Sequence, residues 1–254
     1  EIIGDVDGLY ITYGLEEGAL LTGSNVRCSA PGGSTTGLDA LAALHTSFDV
    51  TCHDERIGAP GRLGTLTFHG VGLHNVRNAL AACAVGLSLG MRFTQIADGL
   101  KLYDGVRRRL QVCGQARGVT VVEDYAHHPT EIACTLEAIR SVKPRRILGV
   151  FQPHLYSRTK YFADQFADVL NACDFALVTD IYGSRETPME GVDSGLIVDA
   201  ARARGGNVEL LRSMEEAPAR IARDAQEGDV VLVLGAGDIN RICGPLLLAL
   251  ERDP

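Results

Sequence analysis

Two polar segments of the sequence combine histidines with charged side chains in a way that is typical of sites for anionic ligands. One reads Asp124-Tyr125-Ala126-His127-His128-Pro129-Thr130-Glu131, and the other reads Phe151-Gln152-Pro153-His154-Leu155-Tyr156-Ser157-Arg158-Thr159-Lys160. Arg158 can hold a carboxylate or a phosphate through two parallel hydrogen bonds, whereas Lys160 offers a looser point charge. Asp124 can bind a ribose hydroxyl or a metal-bound water, and His127 or His128 can contact phosphate.

Each of these side chains also has a purely structural interpretation. Asp124 and the two histidines could cap a helix that begins near Pro129, because the N–H groups at a helix start need acceptors. Arg158 could be a surface residue of the next helix. Adjacent histidines do not have the spacing of a helical metal-ligand pair, so they are weak evidence for a metal. The repetition of polar groups after two successive predicted strands favours a ligand site.

Two other clusters could contribute to such a site. Arg107–Arg109 is a run of three arginines, which could be solvated or could contact phosphate at a domain junction, where ligand clefts are common. His74, Asn75 and Asn78 lie near the start of a predicted helix. Asn75 could cap this helix, or the side chains of His74 and Asn78 could meet a base or another planar ligand.

Two glycine-rich turns resemble nucleotide-binding motifs only in part. The segment Leu234-Gly235-Ala236-Gly237-Asp238-Ile239-Asn240 lacks the third glycine of the dinucleotide fingerprint. It also follows the last predicted strand rather than the first, which argues against an NAD(P)-dependent oxidoreductase. Gly32–Gly37 has no P-loop lysine, and the motif G-x-x-x-x-G-K-[ST] occurs nowhere in the sequence.

From Val119 onward, short apolar runs alternate with amphipathic segments. This alternation predicts a Rossmann-like, doubly wound α/β fold with a mainly parallel sheet covered on both faces. In such sheets ligands bind beyond the carboxyl ends of the strands, where both polar segments fall. The predicted strands are 119–123, 146–151, 175–181, 208–211 and 229–234, and the predicted helices are 129–142, 157–171, 195–204, 217–226 and 239–250.

The first hundred residues have a different pattern. Glycine-rich segments, such as Pro31–Gly37 and Gly58–Gly64, separate short strands such as Leu63–Phe68. Two helices are predicted, over 75–89 and from about 94 to 102. The basic segment 103–114 reads as a connector, and it divides the sequence into a first domain over 1–105 and a second over 106–254.

Charge and composition narrow the function classes. The chain has 254 residues and a net charge of −8, so a general binder of nucleic acid or of an anionic membrane surface is disfavoured. No apolar run reaches the roughly 18 residues that a membrane-spanning helix needs. The seven cysteines are odd in number and form no C-x-x-C pair, which suits reduced thiols in the cytoplasm rather than a disulfide framework or a zinc site, so no metal ligands are expected in this sequence.

Six motifs occur in the order in which they are found in the Mur ligases of peptidoglycan synthesis. The motifs are HNVRNALAA, GVRRRLQ, EDYAHHPTEI, VFQPHLYSRT, VTDIY and VLGAGDI. Each motif is weak alone, but six in register over nearly the whole chain are specific. The FQPHxYSRT loop resembles the branch of the family that joins L-alanine to UDP-N-acetylmuramate, rather than the branches that add other amino acids or a tripeptide.

The resemblance implies that the sequence is part of a longer, three-domain protein. Members of the family have a UDP-sugar domain, a central ATPase domain with a P-loop, and a Rossmann-like C-terminal domain. This sequence resembles the end of the central domain, over 1–105, and the whole C-terminal ligase domain, over 106–254. The missing N-terminal part is therefore an expected partner, and the start at Glu1 rather than Met fits this expectation.

The resemblance also implies roles for individual residues. The cofactors would be ATP and Mg²⁺, with most magnesium ligands in the missing part, and the substrates would be UDP-N-acetylmuramate and L-alanine. An acyl phosphate would be the intermediate, and catalysis would depend on His127, His154 and Arg158. Arg109 would contact the ATP phosphates, and Asp124 the ribose. The residues near the adenine would be His74, Asn75 and Asn78, and those facing the muramoyl carboxylate and the alanine would be Tyr125, His127, His154 and Arg158.

One departure from the family pattern affects the expected site. Leu155 stands where the family usually has an arginine, and Arg185 is a candidate for the lost cation. A different class of function is also compatible with the sequence, namely a non-catalytic Rossmann-like module that binds a nucleotide or an amino acid. A P-loop encoded just before Glu1 would favour the ligase.

Overall fold

The computed structural model describes residues 10–29 and 44–252, which form two compact units. The first unit comprises 10–29 and 44–104, and the second comprises 105–252. Two features noted in the sequence lie outside the described residues. They are the glycine-rich segment Gly32–Gly37, which lacks the lysine of a P-loop, and the start of the chain at Glu1.

The first unit is a four-stranded sheet with two helices. The strands lie in the order β1-β2-β3-β4, with β1 parallel to β2 and the other pairs antiparallel. On β3, alternate residues from Thr46 to Cys52 are buried, and Phe48 and Val50 pack with Val76 and Leu80 of the first helix. The elements are β1 Tyr13–Gly14, β2 Leu21–Ser29, β3 His45–Cys52, β4 Gly61–His69, α1 Leu73–Ser88 and α2 Phe93–Lys101.

The second unit is a six-stranded sheet with helices packed against it. Its order is β5-β6-β10-β7-β8-β9, in which β5 is antiparallel to β6 and every other pair is parallel. The strands are β5 Gln111–Ala116, β6 Val119–Asp124, β7 Ile147–Phe151, β8 Phe175–Val178, β9 Val208–Leu210 and β10 Val230–Leu234. The helices are α3 Pro129–Ser141, α4 Tyr156–Leu170, α5 Gly195–Ala203, α6 Ala217–Asp224 and α7 Cys243–Arg252.

The predicted α/β fold with a mainly parallel sheet is confirmed. Every residue of β6, β7, β8 and β10 is buried, as expected for parallel strands covered on both faces. Leu234 at the end of β10 is in register with Asp124 of β6 and with Phe151 of β7. The loops that follow these three strands therefore begin side by side, although they are far apart in the sequence.

Two sequence predictions in this unit need correction. The segment 103–114 is not a connector throughout, because β5 begins at Gln111 and pairs with the end of β6. The final helix does not run from 239, because the chain first forms a 3-10 helix over Ile239–Ile242 and only then α7. A second 3-10 helix, Met214–Glu216, precedes α6. No helix in the described ranges is long and apolar enough to cross a membrane.

A buried carboxylate anchors the start of the central strand. Asp229, fully buried just before β10, accepts hydrogen bonds from the backbone N–H of Gln226 and from the guanidinium groups of Arg145 and Arg146. The closest of these contacts joins Arg146 Nη2 to Asp229 Oδ2 at 2.6 Å. The carboxylate thus joins the entries to β7 and β10.

We predict that Asp229→Ala lowers the free energy of unfolding by about 3 kcal/mol, near the lower end of the range for breaking a buried ion pair, because both guanidinium groups keep some access to water. Asp164→Ala removes the exposed ion pair to Arg204 and is expected to cost less than about 1 kcal/mol. Urea unfolding of both variants, followed by circular dichroism, checks this. Equal effects of the two substitutions would contradict the anchoring role.

Candidate functional site

Asp124 fixes the loop that follows β6. One carboxylate oxygen accepts the backbone N–H of Leu110 at 2.8 Å, and the other accepts that of Ala126 at 2.7 Å. The side chain is buried, and it does not cap the helix, so one structural interpretation of Asp124 was wrong. The carboxylate therefore fixes the start of the loop after β6 and joins it to the segment before β5.

Arg108 holds the glycine loop that follows β10. Its Nη2 donates to the carbonyl oxygens of Gly235 at 2.7 Å and Gly237 at 3.0 Å. A Cβ at position 237 would lie 2.3 Å from Gln152 Oε1 and 2.6 Å from Tyr182 Cγ. The glycine at 237 is thus required by close packing between neighbouring loops.

Arg109 differs from Arg108 in its exposure. Its guanidinium carbon lies 5.5 Å from the centre of the Tyr125 ring, and that of Arg108 lies 4.9 Å from it. Arg108 is half-buried, whereas Arg109 and Arg107 are exposed. Of the two arginines beside the Tyr125 ring, Arg109 is thus the one whose charge faces water and can meet a phosphate.

The start of α3 is a capped helix N-terminus. His128 is the N-cap, its ring accepts the N–H of Thr130, and Pro129 occupies the first turn as expected. Glu131 accepts the N–H groups of both His127 and His128. Burial alone would raise the pKa of Glu131, but these donors and the nearby imidazole of His127 outweigh it and lower the pKa. The capping interpretation therefore holds for His128.

The two adjacent histidines point to different neighbours. The His128 ring packs edge-on against Phe162 at 4.9 Å, whereas the His127 ring packs between Tyr125 at 5.3 Å and His154 at 5.4 Å. Nδ1 of His127 lies 2.9 Å from the carbonyl oxygen of Tyr125. Since a carbonyl oxygen can only accept a hydrogen bond, the proton of this contact is on Nδ1 of His127. Nε2, on the other side of the ring, takes no part in this contact.

His154 joins the loops after β6 and β7. Its ring stacks on Tyr182 at 5.8 Å, and together with Tyr125 and His127 these residues form a continuous row of four rings. Burial lowers the pKa of His154, and the charges of His127 and Arg158 lower it further. Nδ1 of His154 is buried and has no hydrogen-bond partner. A buried polar atom of this kind can bind a ligand group.

Arg158 lies beside this row of rings. It is half-buried in the first turn of α4, and its Nη1 donates to the carbonyl oxygen of His127 at 3.4 Å. Arg158 thus lies on the following helix, as its structural interpretation expected, but it is half-buried and contacts the loop after β6. Lys160, two residues further on, is exposed.

Glu186 fixes the beginning of α4. Its carboxylate accepts both the hydroxyl and the backbone N–H of Ser157, and these bonds lower the pKa of Glu186. Leu155, which precedes the helix, has φ 74° and ψ 135°. This conformation is costly for a branched side chain, and the N–H of Leu155 holds it by donating to the carbonyl oxygen of Tyr182 at 3.0 Å.

Three of these residues were not predicted as site residues. Tyr182, Gln152 and Glu186 lie in loops whose partners are distant in the sequence. Gln152 donates from Nε2 to Asp238 at 3.1 Å and accepts the N–H of Ile239. Gln152 and Tyr182 belong to motifs that were noted, so a polar residue directly after a buried strand was the available signal. Glu186 had no such signal.

The residues expected near an adenine lie in the first unit. Asn75 Nδ2 donates to the carbonyl oxygen of Val71 at 2.8 Å, and Asn78 Nδ2 donates to Asn75 Oδ1 at 3.4 Å. Gly72 is the N-cap of α1, so the interpretation of Asn75 as a helix cap was wrong. The side chain of Asn75 nonetheless fixes the turn before the helix, and Asn78 remains exposed.

Comparison with known proteins gives relatives that share one name. The chain is 43% identical to the UDP-N-acetylmuramate–L-alanine ligase of Salinibacter ruber over 254 residues, which is 99% of this chain and 50% of the relative. It is 47% identical to the ligase of the same name from Streptomyces coelicolor over 178 residues, covering 70% of this chain and 38% of the relative. The chain thus spans about half the length, or less, of the curated relatives it matches.

Solved structures show the same fold. The UDP-N-acetylmuramate–alanine ligase of Thermotoga maritima has a TM-score of 0.73 and 25% identity, over 96% of this chain and 48% of that chain. A murein peptide ligase of Psychrobacter arcticus has a TM-score of 0.65 and 22% identity, over 95% of this chain and 46% of that chain.

The family match covers the unit that carries the row of rings. Residues 108–237 match the family described as "Mur ligase, glutamate ligase domain". These residues begin at the arginine that holds the glycine loop and end at the loop's second glycine. The chain therefore belongs to the Mur ligase family.

Proposed function

We propose that this chain is the C-terminal portion of an ATP-dependent ligase that joins L-alanine to UDP-N-acetylmuramate. The observation that carries the proposal is the grouping of His127, His154 and Arg158 beyond the ends of β6 and β7, in a chain whose curated relatives named above are alanine ligases. The same grouping includes an unpartnered buried nitrogen on His154. It can therefore bind a substrate group without first breaking an internal bond.

In the proposed reaction, the substrate carboxylate attacks the γ-phosphate of ATP, giving an acyl phosphate and ADP. The amino group of L-alanine then attacks the acyl carbon, phosphate leaves, and an amide forms. Two like charges at 4 Å repel by about 4 kcal/mol at an effective dielectric of 20. The guanidinium groups of Arg158 and Arg109 offset this repulsion, so the contribution of the chain is positioning and charge neutralisation.

Three rings of the row, and the arginines near it, have proposed tasks. Arg158 binds the muramoyl carboxylate or the phosphoryl oxygens through its planar guanidinium. His154, kept neutral by burial and by neighbouring cations, meets the incoming alanine without adding a charge that would repel the ammonium form. His127 and Tyr125 complete the wall against which the substrate lies. Arg185, which also lowers the pKa of His154, is the candidate for the cation missing at Leu155.

The nucleotide is proposed to lie at the β6 end of this site. Arg109 is exposed beside Tyr125 and can contact the ATP phosphates, and Asp124, at the end of β6, is proposed to contact the ribose. His74, Asn75 and Asn78 lie in the first unit, and their contact with an adenine stays a prediction from the sequence.

The described site residues do not form an oxygen-ligand set for Mg²⁺. The carboxylates of Glu131 and Glu186 already accept hydrogen bonds from loop N–H groups. We therefore assign no step to magnesium in this chain, and its ligands are proposed to lie in the missing N-terminal part.

The ligase proposal predicts that activity needs the missing part. We expect no alanine-dependent phosphate release from this chain alone, because its sequence has no P-loop. Release is expected when the unmatched half of the Salinibacter ruber relative is co-expressed with it and ATP, UDP-N-acetylmuramate and L-alanine are supplied. Turnover by the chain alone would contradict this. No release from two folded, associated halves would instead favour the non-catalytic binding module.

Within the combined sample, Arg158→Ala is expected to lower kcat by about 100-fold or more, the usual cost of losing one preorganised charge-stabilising group. Arg158→Lys should recover only part of this loss, because an ammonium cannot form the two parallel bonds. Arg223→Ala, which removes an exposed arginine of α6, serves as the matched control. The proposed role fails if Arg158→Ala and Arg223→Ala have the same small effect.

The electrostatics of the row predict opposite shifts in the pKa of His154. Arg158→Ala removes a charge that lowers this pKa, so the pKa should rise towards its ordinary value of 6.5. Glu186→Gln removes a charge that raises it, so the pKa should fall further. NMR titration of the imidazole protons, assigned with His154→Gln, measures both shifts. Shifts of the same sign would show that the two charges do not act on His154 directly.

The same shift has a consequence for stability. Because the folded-state pKa of His154 lies below 6.5, the unfolded chain binds the proton more readily, and stability is lost as pH falls from 6.5 towards the folded value. The urea midpoint of the wild type should therefore decrease more steeply over this range than that of His154→Gln. Parallel curves for the two proteins would contradict the assignment.

A further inference from the structure

A second cluster of ligand-type side chains lies in the same unit as the row of rings but is separate from it. The Sγ atoms of Cys113 and Cys243 and a carboxylate oxygen of Glu123 all lie within 4.8 Å of one another. Glu123 and Cys243 are buried, and Cys113 is half-buried. We propose that these three side chains bind a zinc ion that joins β5, β6 and α7.

A β-bulge in β5 brings Cys113 to the cluster. β5 pairs Val112 with Val122 and Gly114 with Val121, so Cys113 is the extra residue of a β-bulge. Bulges of this kind redirect a side chain, and they are common beside functional sites.

Glu123 and Cys243 reach the cluster from the sheet and from the last helix. Side chains alternate along β6, so Glu123 lies on the same face as Val119 and Val121, which belong to the core formed with α7. Cys243 is the first residue of α7, and its Sγ lies 3.8 Å from Glu123 Oε2. The carboxylate and both sulfurs therefore face one small volume.

The donor set selects the type of metal. Two thiolates and a carboxylate are ligands that zinc accepts in tetrahedral sites, whereas magnesium and calcium prefer oxygen ligands alone. Three protein ligands leave a fourth position for water. A small inward movement is sufficient, because zinc–sulfur bonds of about 2.3 Å place neighbouring ligand atoms slightly closer than they are here.

The charges around the cluster also balance when zinc is bound. Two thiolates and Glu123 carry three negative charges, of which the ion neutralises two. Arg108 supplies the remaining positive charge, because its Nε lies 3.8 Å from Glu123 Oε1. This Nε is buried and otherwise without a hydrogen-bond partner. A neutral total is important for buried groups, because an uncompensated charge is costly to desolvate.

A zinc ion at this position would stabilise the glycine loop indirectly. Glu123 contacts Arg108, and Arg108 donates to the carbonyl oxygens of Gly235 and Gly237. Cys243 connects the ion to α7, which follows the same loop through a 3-10 helix. The ion is thus proposed as a structural support for that loop, and it takes no part in the ligase reaction.

The test uses the chain as it exists, purified under reducing conditions, with Zn²⁺ and Co²⁺ as probes. We expect one equivalent of zinc by elemental analysis. Replacement by Co²⁺ should give thiolate charge-transfer bands and the intense visible bands of tetrahedral cobalt. Loss of a residue that only supports a metal ligand lowers metal affinity by about 10–100-fold. Cys113→Ser and Cys243→Ser each remove a ligand, so each should lower metal affinity by more than this. Glu123→Gln should weaken affinity but keep the charge-transfer bands.

A matched control uses a cysteine outside the cluster. Cys134→Ser, at a half-buried position on α3, should bind Zn²⁺ and Co²⁺ like the wild type. Zn²⁺ should raise the urea midpoint of the wild type and of Cys134→Ser but not that of Cys113→Ser, and circular dichroism confirms that each variant is folded. The proposal is overturned if the wild type binds neither metal, if Cys113→Ser binds as tightly as the wild type, or if mass spectrometry finds a stable Cys113–Cys243 disulfide in its place.

Discussion

The in-register position of β10 between β6 and β7 is the constraint on which the whole site depends. Leu234, Asp124 and Phe151 end at one level of the sheet, so loops separated by many residues in the sequence begin as neighbours. A one-residue slip of β10 would turn each of its side chains to the opposite face of the sheet and move Leu234 out of line with Asp124 and Phe151. Every residue of these strands is buried. A slip would therefore draw the polar groups that follow the strand ends into the buried part of the sheet, which is costly. The hydrophobic core of the second unit thus determines the geometry of its polar edge.

The arginine run shows how neighbouring residues of one type acquire different tasks. Arg108 has φ 61°, and its guanidinium turns to the carbonyl oxygens of the glycine loop. Arg109 is exposed beside the Tyr125 ring. A sequence can indicate that a basic cluster lies at a domain junction, but not which arginine is used for structure. That assignment depends on backbone conformation and on Gly235, which lies more than a hundred positions away in the chain.

The accuracy of the sequence predictions follows from the range of the interactions involved. The buried strands and the start of α3 at Pro129 were predicted, because continuous apolar runs and a proline in the first turn are local signals. β5 was missed because its β-bulge interrupts the alternation of side chains, and its pairing with β6 uses polar as well as apolar residues. The stack of His154 on Tyr182 was beyond prediction, since it depends on where β7 and β8 place their loops.

The charge distribution of the site differs from that of a simple basic patch. Glu131 and Glu186 lie among groups proposed to bind anions, and both have lowered pKa values, so they remain ionised near neutral pH. Their oxygens are turned to loop donors: Glu131 fixes His127 and His128, and Glu186 fixes Ser157 at the start of α4. The carboxylates therefore act by holding the backbone that presents Arg158 and the histidines. With His154 neutral, the positive charge available to an anion beside the rings is concentrated on guanidinium groups, whose planar donors select for carboxylate and phosphate geometry.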